Sequence, residues 1–169
     1  MENQKTSSKS TILNYGLILG FFSIIVHLIQ YSLGKHLEQD WKFSVLSLLV
    51  TVVLIYLGTK KFKELNENSL TFGQGLKIGV GIAVISAIVF ILYNFIFMNF
   101  IEPDIAQQMM DFQEQKWIEA GMADEQIEGA KAMMSKFQSP AITSAIILAV
   151  SAFFGFIISL ITSLAMKTE

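Results

Sequence analysis

Four apolar stretches dominate the hydrophobic pattern of this chain, each near the ~20 residues that a bilayer crossing requires. They cover residues of about 11–34, 41–59, 75–101 and 140–166. In hydrocarbon every backbone N–H and C=O must find its partner within the segment, so each stretch predicts a helix. The second is the shortest, with Trp41 at one end and Lys60 and Lys61 at the other as interfacial anchors. The first is read as a retained span rather than a cleaved leader. Its apolar run outlasts an ordinary leader core, and no A-x-A site precedes Lys35. Residues 1–10 are polar and predict a frayed tail.

The polar interval 102–139 is too long for a bare turn. Pro103 suits a first helical position, and Ile105, Met109 and Phe112 follow helical spacing. Gly121 is a natural stop, and Asp124 a natural N-cap for a second run. Ile127, Ala130, Met134 and Phe137 then fall on one helical face. Two short amphipathic helices are expected, folded on each other and against the ends of spans three and four. The predicted fold is therefore all-α: one membrane domain over residues 1–169, with four transmembrane helices and an external helical hairpin between spans three and four.

Composition agrees with that class. Hydrophobic residues make up 53% and charged ones 15% of the 169 residues, a balance suited to a small integral membrane protein. A net charge of −2 argues against a nucleic-acid partner. No arginine is present, so the bidentate fork that grips phosphates and carboxylates is missing. Without cysteine there is no disulfide, thiolate catalysis or cysteine-ligated metal. Lysines set the orientation. Lys5, Lys9, Lys60, Lys61, Lys63, Lys77 and Lys167 lie at the termini and around the 2–3 loop, whereas interval 102–139 carries three lysines against eight acids. The positive-inside rule then predicts both termini in the cytoplasm and residues 102–139 outside, in the periplasm of a bacterial inner membrane.

Few residues within the spans carry chemistry. His27 is the ionisable group well inside an apolar run, and with Gln30 and Asn94 it forms a candidate polar intramembrane site. Its plainer reading is an imidazole bonded to a neighbouring helix. Asn94 is expected to bridge helices through its amide, and Tyr31 and Tyr93 to sit in an aromatic belt. Gly16 and Gly20 on span one, and Gly75 and Gly79 on span three, are expected to let helices approach closely. Ser44, Ser47, Thr51 and Gly58 offer a matching face on span two, and Ala145, Ala149, Ala152, Ser159 and Ser163 one on span four. The carboxylates of Glu102, Asp104, Asp111 and Glu114 lack a calcium-loop pattern and read as a solvated face. His36, alone in a loop, lacks a zinc-hydrolase partner set, and TFGQGLKIG is neither a P-loop nor a dinucleotide fingerprint. Ser69 or Thr71 is expected to cap span three instead.

Several motifs carry a family resemblance. They are Ser69-Leu-Thr-Phe-Gly-Gln-Gly-Leu-Lys-Ile-Gly opening a span, Phe100-Ile-Glu-Pro103 closing it, Met122-Ala-Asp-Glu-Gln-Ile-Glu128, and Phe154-Gly-Phe-Ile-Ile-Ser-Leu-Ile161 ahead of Lys167. In that order the chain resembles a Bacteroidota membrane family, domain-of-unknown-function family 4199. The resemblance implies a four-span inner-membrane protein and no activity. No catalytic signature and no cofactor motif is found, so no enzyme is expected. The lipid bilayer is one partner, and a second copy or another membrane protein a further one. The first functional expectation is an interaction, accessory or assembly protein. The alternative is a small transporter or channel subunit, active as an oligomer, with His27 in a polar track. A polar cavity at His27 favours the alternative, and a dry, tight bundle the first.

Overall fold

The computed structural model describes residues 8–38 and 40–168. The chain forms α1 (Ser8–Ser32), α2 (Trp41–Leu65), α3 (Phe72–Ile96), a π-helical turn (Phe97–Ile101), α4 (Ile105–Glu119), α5 (Asp124–Phe137) and α6 (Pro140–Met166). Four helices, α1, α2, α3 with its π-turn, and α6, are long and apolar enough to cross a membrane. Helix α1 already includes residues 8–10, which the sequence assigns to a frayed tail; residues 1–7, with Lys5, lie outside the described residues.

Local chemistry explains the boundaries. Helix α2 does not stop near residue 59 but continues through Lys60, Lys61 and Lys63 to Leu65. Those lysines extend the helix into the polar layer, and Lys63 Nζ donates to the Met166 carbonyl at 2.8 Å, tying α2 to the end of α6. Thr71 starts α3: its Oγ1 accepts from the Gln74 N–H (3.3 Å), and Gln74 Oε1 accepts from the Thr71 N–H (3.0 Å). This reciprocal cap places the start at Phe72, ahead of the apolar run. Ser139 caps α6, with Pro140 in its first turn.

Helix α3 is the centre of the bundle, packed between α1 and α6, with α2 against all three. Glycine makes the close approaches possible. A Cβ on Gly16 would lie 2.6 Å from Ile85 Cβ, and one on Gly20 would lie 2.7 Å from Val89 Cβ. On the other side of α3, Gly75 meets Ser163 and Gly79 meets Ser159 and Ile55. All four glycines expected at helix contacts are therefore there. Two of the α6 hydroxyls on this side are held within the helix: Ser159 Oγ donates to the Gly155 carbonyl, and Thr162 Oγ1 to the Ile158 carbonyl at 2.8 Å. The Ser163 hydroxyl against Gly75 is buried with no hydrogen-bond partner among the described residues.

The packing is uneven along the bundle. Buried residues of α2 (Ile55, Gly58, Thr59, Phe62) all lie toward the end that holds the C-terminus. Those of α6 (Gly155, Ile158, Ser159, Thr162, Ser163) do too. At the hairpin end the small-residue face of α6 is not buried, and Ala145 and Ala149 are exposed. Of the expected α6 face only Ser159 and Ser163 are buried, and a cavity separates α2 from α6 beside Val150, Ser151 and Phe154.

The hairpin differs in detail from the sequence reading. Helix α4 starts at Ile105 with Asp104 at its N-cap, so Pro103 lies in the preceding turn. Ala123, not Asp124, is the N-cap of α5; Asp124 sits in the first turn, where its charge suits the helix dipole. Gly121, just past the end of α4, has φ +75°, a left-handed conformation that favours glycine. Ile105, Met110 and Ile127 are the buried apolar residues of the hairpin, while Met109 is 48% exposed. Phe112 instead lies under the Lys116 ammonium, 4.4 Å from its ring centre. Lys131 ties α5 to α4 through Glu114 at 2.9 Å. That hydrogen bond is the largest of the influences that raise the Lys131 pKa. Gln138 Nε2 donates to the Ala106 carbonyl at 3.2 Å.

Candidate functional site

His27 sits where α1 faces α3 near the hairpin end. Its Nδ1 lies 2.8 Å from Tyr93 Oη, so imidazole and phenol share one proton between two helices. Three aromatic rings enclose it edge-on: Phe97 at 4.8 Å, Tyr93 at 5.5 Å and Phe90 at 6.0 Å between ring centres. Phe97 is 1% exposed and also packs against Tyr31 at 5.1 Å. The π-turn makes this arrangement. The Glu102 N–H donates to the Phe97 carbonyl at 2.9 Å, so the last turn of span three contains an extra residue. Glu102 thereby stands beside α1, where Tyr31 Oη donates to its Oε2 at 2.6 Å and Gln108 Nε2 to its Oε1 at 2.6 Å. The Tyr31 hydroxyl, and then the Gln108 amide, hold the Glu102 carboxyl below its ordinary pKa. His36, from the loop after α1, packs edge-on against Tyr31 at 5.0 Å.

Below and beside His27 lies a cleft between the parted halves of α2 and α6. Three cavities follow one another along it. The one farthest from the hairpin, about 420 Å³, is lined by Leu19, Ser23, Thr51, Gly155 and Ile158. The next, about 420 Å³, is lined by Ser23, His27, Gln30, Ser47, Ser86 and Ser151. The third, about 390 Å³, continues from His27 under the hairpin to His36, Asn94, Met109, Met134 and Phe137. Each is within the ~300–1,000 Å³ typical of small-molecule sites. Leu48, Ile146, Val150 and Phe154 are exposed at the rim, so the cleft opens sideways toward surrounding lipid.

The structure thus brings His27 and Gln30 together in one cavity and His27 and Asn94 in another. Asn94 does not bridge helices: its Nδ2 donates to Met98 Sδ, one turn along the same helix, at 3.3 Å. Tyr93 and Tyr31 are not free belt residues but the partners of His27 and Glu102. Sequence reasoning missed these two pairs and the cleft hydroxyls of Ser86 and Ser151. Tyr31 follows His27 by four residues on α1, and Phe97, the first residue of the π-turn, follows Tyr93 by four. That matched spacing is the signal that was available. The acidic residues of the hairpin have local partners: Asp111 accepts from Gln107 at 2.7 Å, Glu114 and Glu128 both pair with Lys131, and Glu102 is held as described. Among the described residues no cluster of three or more histidines and carboxylates could hold a metal ion.

Fold and cleft together fit a small integral membrane protein of four helices. The chain belongs to the family described as protein of unknown function DUF4199, which matches residues 14–168. No curated protein and no solved structure matches the chain.

Proposed function

We propose that this protein takes a small amphipathic molecule from the leaflet on its hairpin side, and so works in the class of small transporters and lipid-handling membrane proteins. The observation that carries this reading is the continuous cleft through His27, which a dry and tight bundle would not contain. The role is non-enzymatic, since the sequence has no catalytic signature. Its place is a bacterial cytoplasmic membrane, with the termini inside and the hairpin in the periplasm. The lysine asymmetry supports that orientation. Native mass spectrometry of protein released from mild detergent tests the reading. Wild type should carry a bound small molecule, and Ser151→Trp, which fills the cleft, should lose it. A wild-type protein without bound mass, or a filled variant with the same mass, removes the reading.

One observation favours an interaction or assembly role beside it. Ala141, Ala145 and Ala149 form an exposed row on α6, one turn apart, suited to close approach by another helix. A single cysteine at Ala145 should then cross-link to a second copy or a partner in native membranes. Monomeric, unlinked protein at every oxidant level argues against it.

A further inference from the structure

The proposed amphiphile-handling role leaves the chemistry of the ligand open, and the cleft narrows it. We infer that the ligand is a single-chain lipid whose head is uncharged and hydrogen-bonding, a hydroxyl or a carbonyl. This rests on the ligand-binding reading above.

Shape comes first. The cavities are arranged end to end along α1: Leu19 and Ser23, then Ser23 to Gln30, then His27 onward under the hairpin. Ser23, Ser47, Ser86, Val150 and Ser151 line both lower cavities, so these residues surround one channel rather than two parallel ones. From Leu19 to His27 the helix rises about 12 Å, the reach of a medium-length alkyl chain. One chain follows such a channel, whereas the two tails of a bilayer phospholipid need two.

The head follows from the polar groups at the upper end. Both ring nitrogens of His36 are buried and have no hydrogen-bond partner among the described residues. His27 gives its Nδ1 to Tyr93 and lines the cavity on either side. Asn94, Gln138 and Thr143 complete the polar lining. Two histidines, two amides and a hydroxyl offer both donors and acceptors, which suits a neutral head. No lysine lines any of the three cavities. The nearby carboxylate, Glu102, is bound by Tyr31 and Gln108 and would repel an anion. A cationic head would find no carboxylate in the lining. Burying a charge there without a partner is costly, and burying a hydroxyl beside an imidazole is not.

The test uses the full chain in lipid nanodiscs and a photoreactive long-chain alcohol bearing a diazirine in its tail. Label should map to the lower cleft, on α1 around Leu19 and on α6 around Ile158, and not to the outward-facing Phe95 and Phe100. Dodecanol should compete at least about tenfold better than dodecanoate or dodecylammonium, a ratio one unfavourable charge burial exceeds. His36→Phe should weaken competition by dodecanol about tenfold, as expected for loss of one hydrogen bond, without changing the labelled positions. Equal or better competition by dodecanoate or dodecylammonium overturns the neutral-head inference while leaving the ligand-binding reading in place. So does an unaltered dodecanol affinity in His36→Phe. Label spread evenly over the lipid-facing surface, and unchanged in Ser151→Trp, overturns both.

Discussion

The pairing of His27 with Tyr93 is the interaction on which the polar core at the hairpin end depends. Tyr93→Phe leaves an imidazole nitrogen among Phe90 and Phe97 without its partner, which should cost about 1–3 kcal/mol. His27→Phe in the same chain removes the stranded nitrogen as well and should recover part of the loss, because the surroundings are already aromatic. A double-mutant cycle from thermal melts in detergent reads the coupling, and strict additivity would show that the two groups do not interact. Glu102 makes a pH prediction. Its folded pKa is depressed by the Tyr31 and Gln108 hydrogen bonds. Its contribution is therefore fully present above the unfolded carboxylate value, ~4.3, and is lost as pH falls below that through the folded pKa. The hairpin should exchange amide hydrogens faster as pH drops through that window, after correction for the intrinsic rate. Glu102→Gln should flatten this dependence, and a variant with wild-type behaviour would show that another group titrates.

Helix contacts concentrate on the glycine faces of α3 and its neighbours, and these faces respond in opposite ways from open glycines. Gly79→Leu forces α3 away from Ser159 and Ile55, and Gly20→Leu forces α1 from Val89; each should cost about 1–3 kcal/mol or more. Gly129 lies within α5 with nothing near its Cβ position, so Gly129→Ala should instead stabilise the hairpin by up to about 1 kcal/mol. Melting temperatures measured side by side decide the matter, since three equal shifts would mean that the close approaches do not exist. Ile105, Met110 and Ile127 are buried within the hairpin segment. Ile127→Asp puts a charge at a buried position and should expose residues 104–138 to protease with the four spans still inserted. Unchanged resistance would mean the two short helices are held by the ion pair of Lys131 with Glu114 instead.

For the molecule as a whole, uneven packing is the defining property. Tight glycine and serine contacts hold α1, α3 and α6 together toward the C-terminal end, whereas α2 and α6 diverge toward the hairpin and leave the cleft. Closing the bundle along its full length would bury the row of cleft hydroxyls and the imidazole. The hairpin roofs the opening with Met109, Met134 and Phe137. The direction in which this opening faces is testable in the same preparation. The chain has no native cysteine. Single cysteines at Ser69 and Gln126 should label from opposite sides with an impermeant reagent, Gln126→Cys from outside intact cells. Labelling of Ser69→Cys from outside would reverse the proposed orientation.

Spans, hairpin and contact glycines were legible in the chain because each follows from local chemistry. Hydrocarbon demands a self-satisfied backbone, so about twenty apolar residues imply a helix wherever they occur. The apolar pattern places span four at residues 140–166, and α6 runs Pro140–Met166 behind a Ser139 cap. Span two was placed too short because hydropathy falls at Lys60 although helix propensity does not. His27 was legible as an intramembrane ionisable group, but its meaning was not. Whether it bonds Tyr93, lines a cavity or both depends on how α3 is rotated against α1, and on the extra residue of the π-turn that sets Phe97 and Glu102 in place. The exposed Ala145 and Ala149 show the same limit. A small-residue face announces that close packing is possible. Where two helices actually meet depends on their crossing angle, and that is set by side chains distant in sequence: here Gly79 with Ser159 and Gly75 with Ser163, contacts that draw α6 onto α3 at one end and leave it apart from α2 at the other.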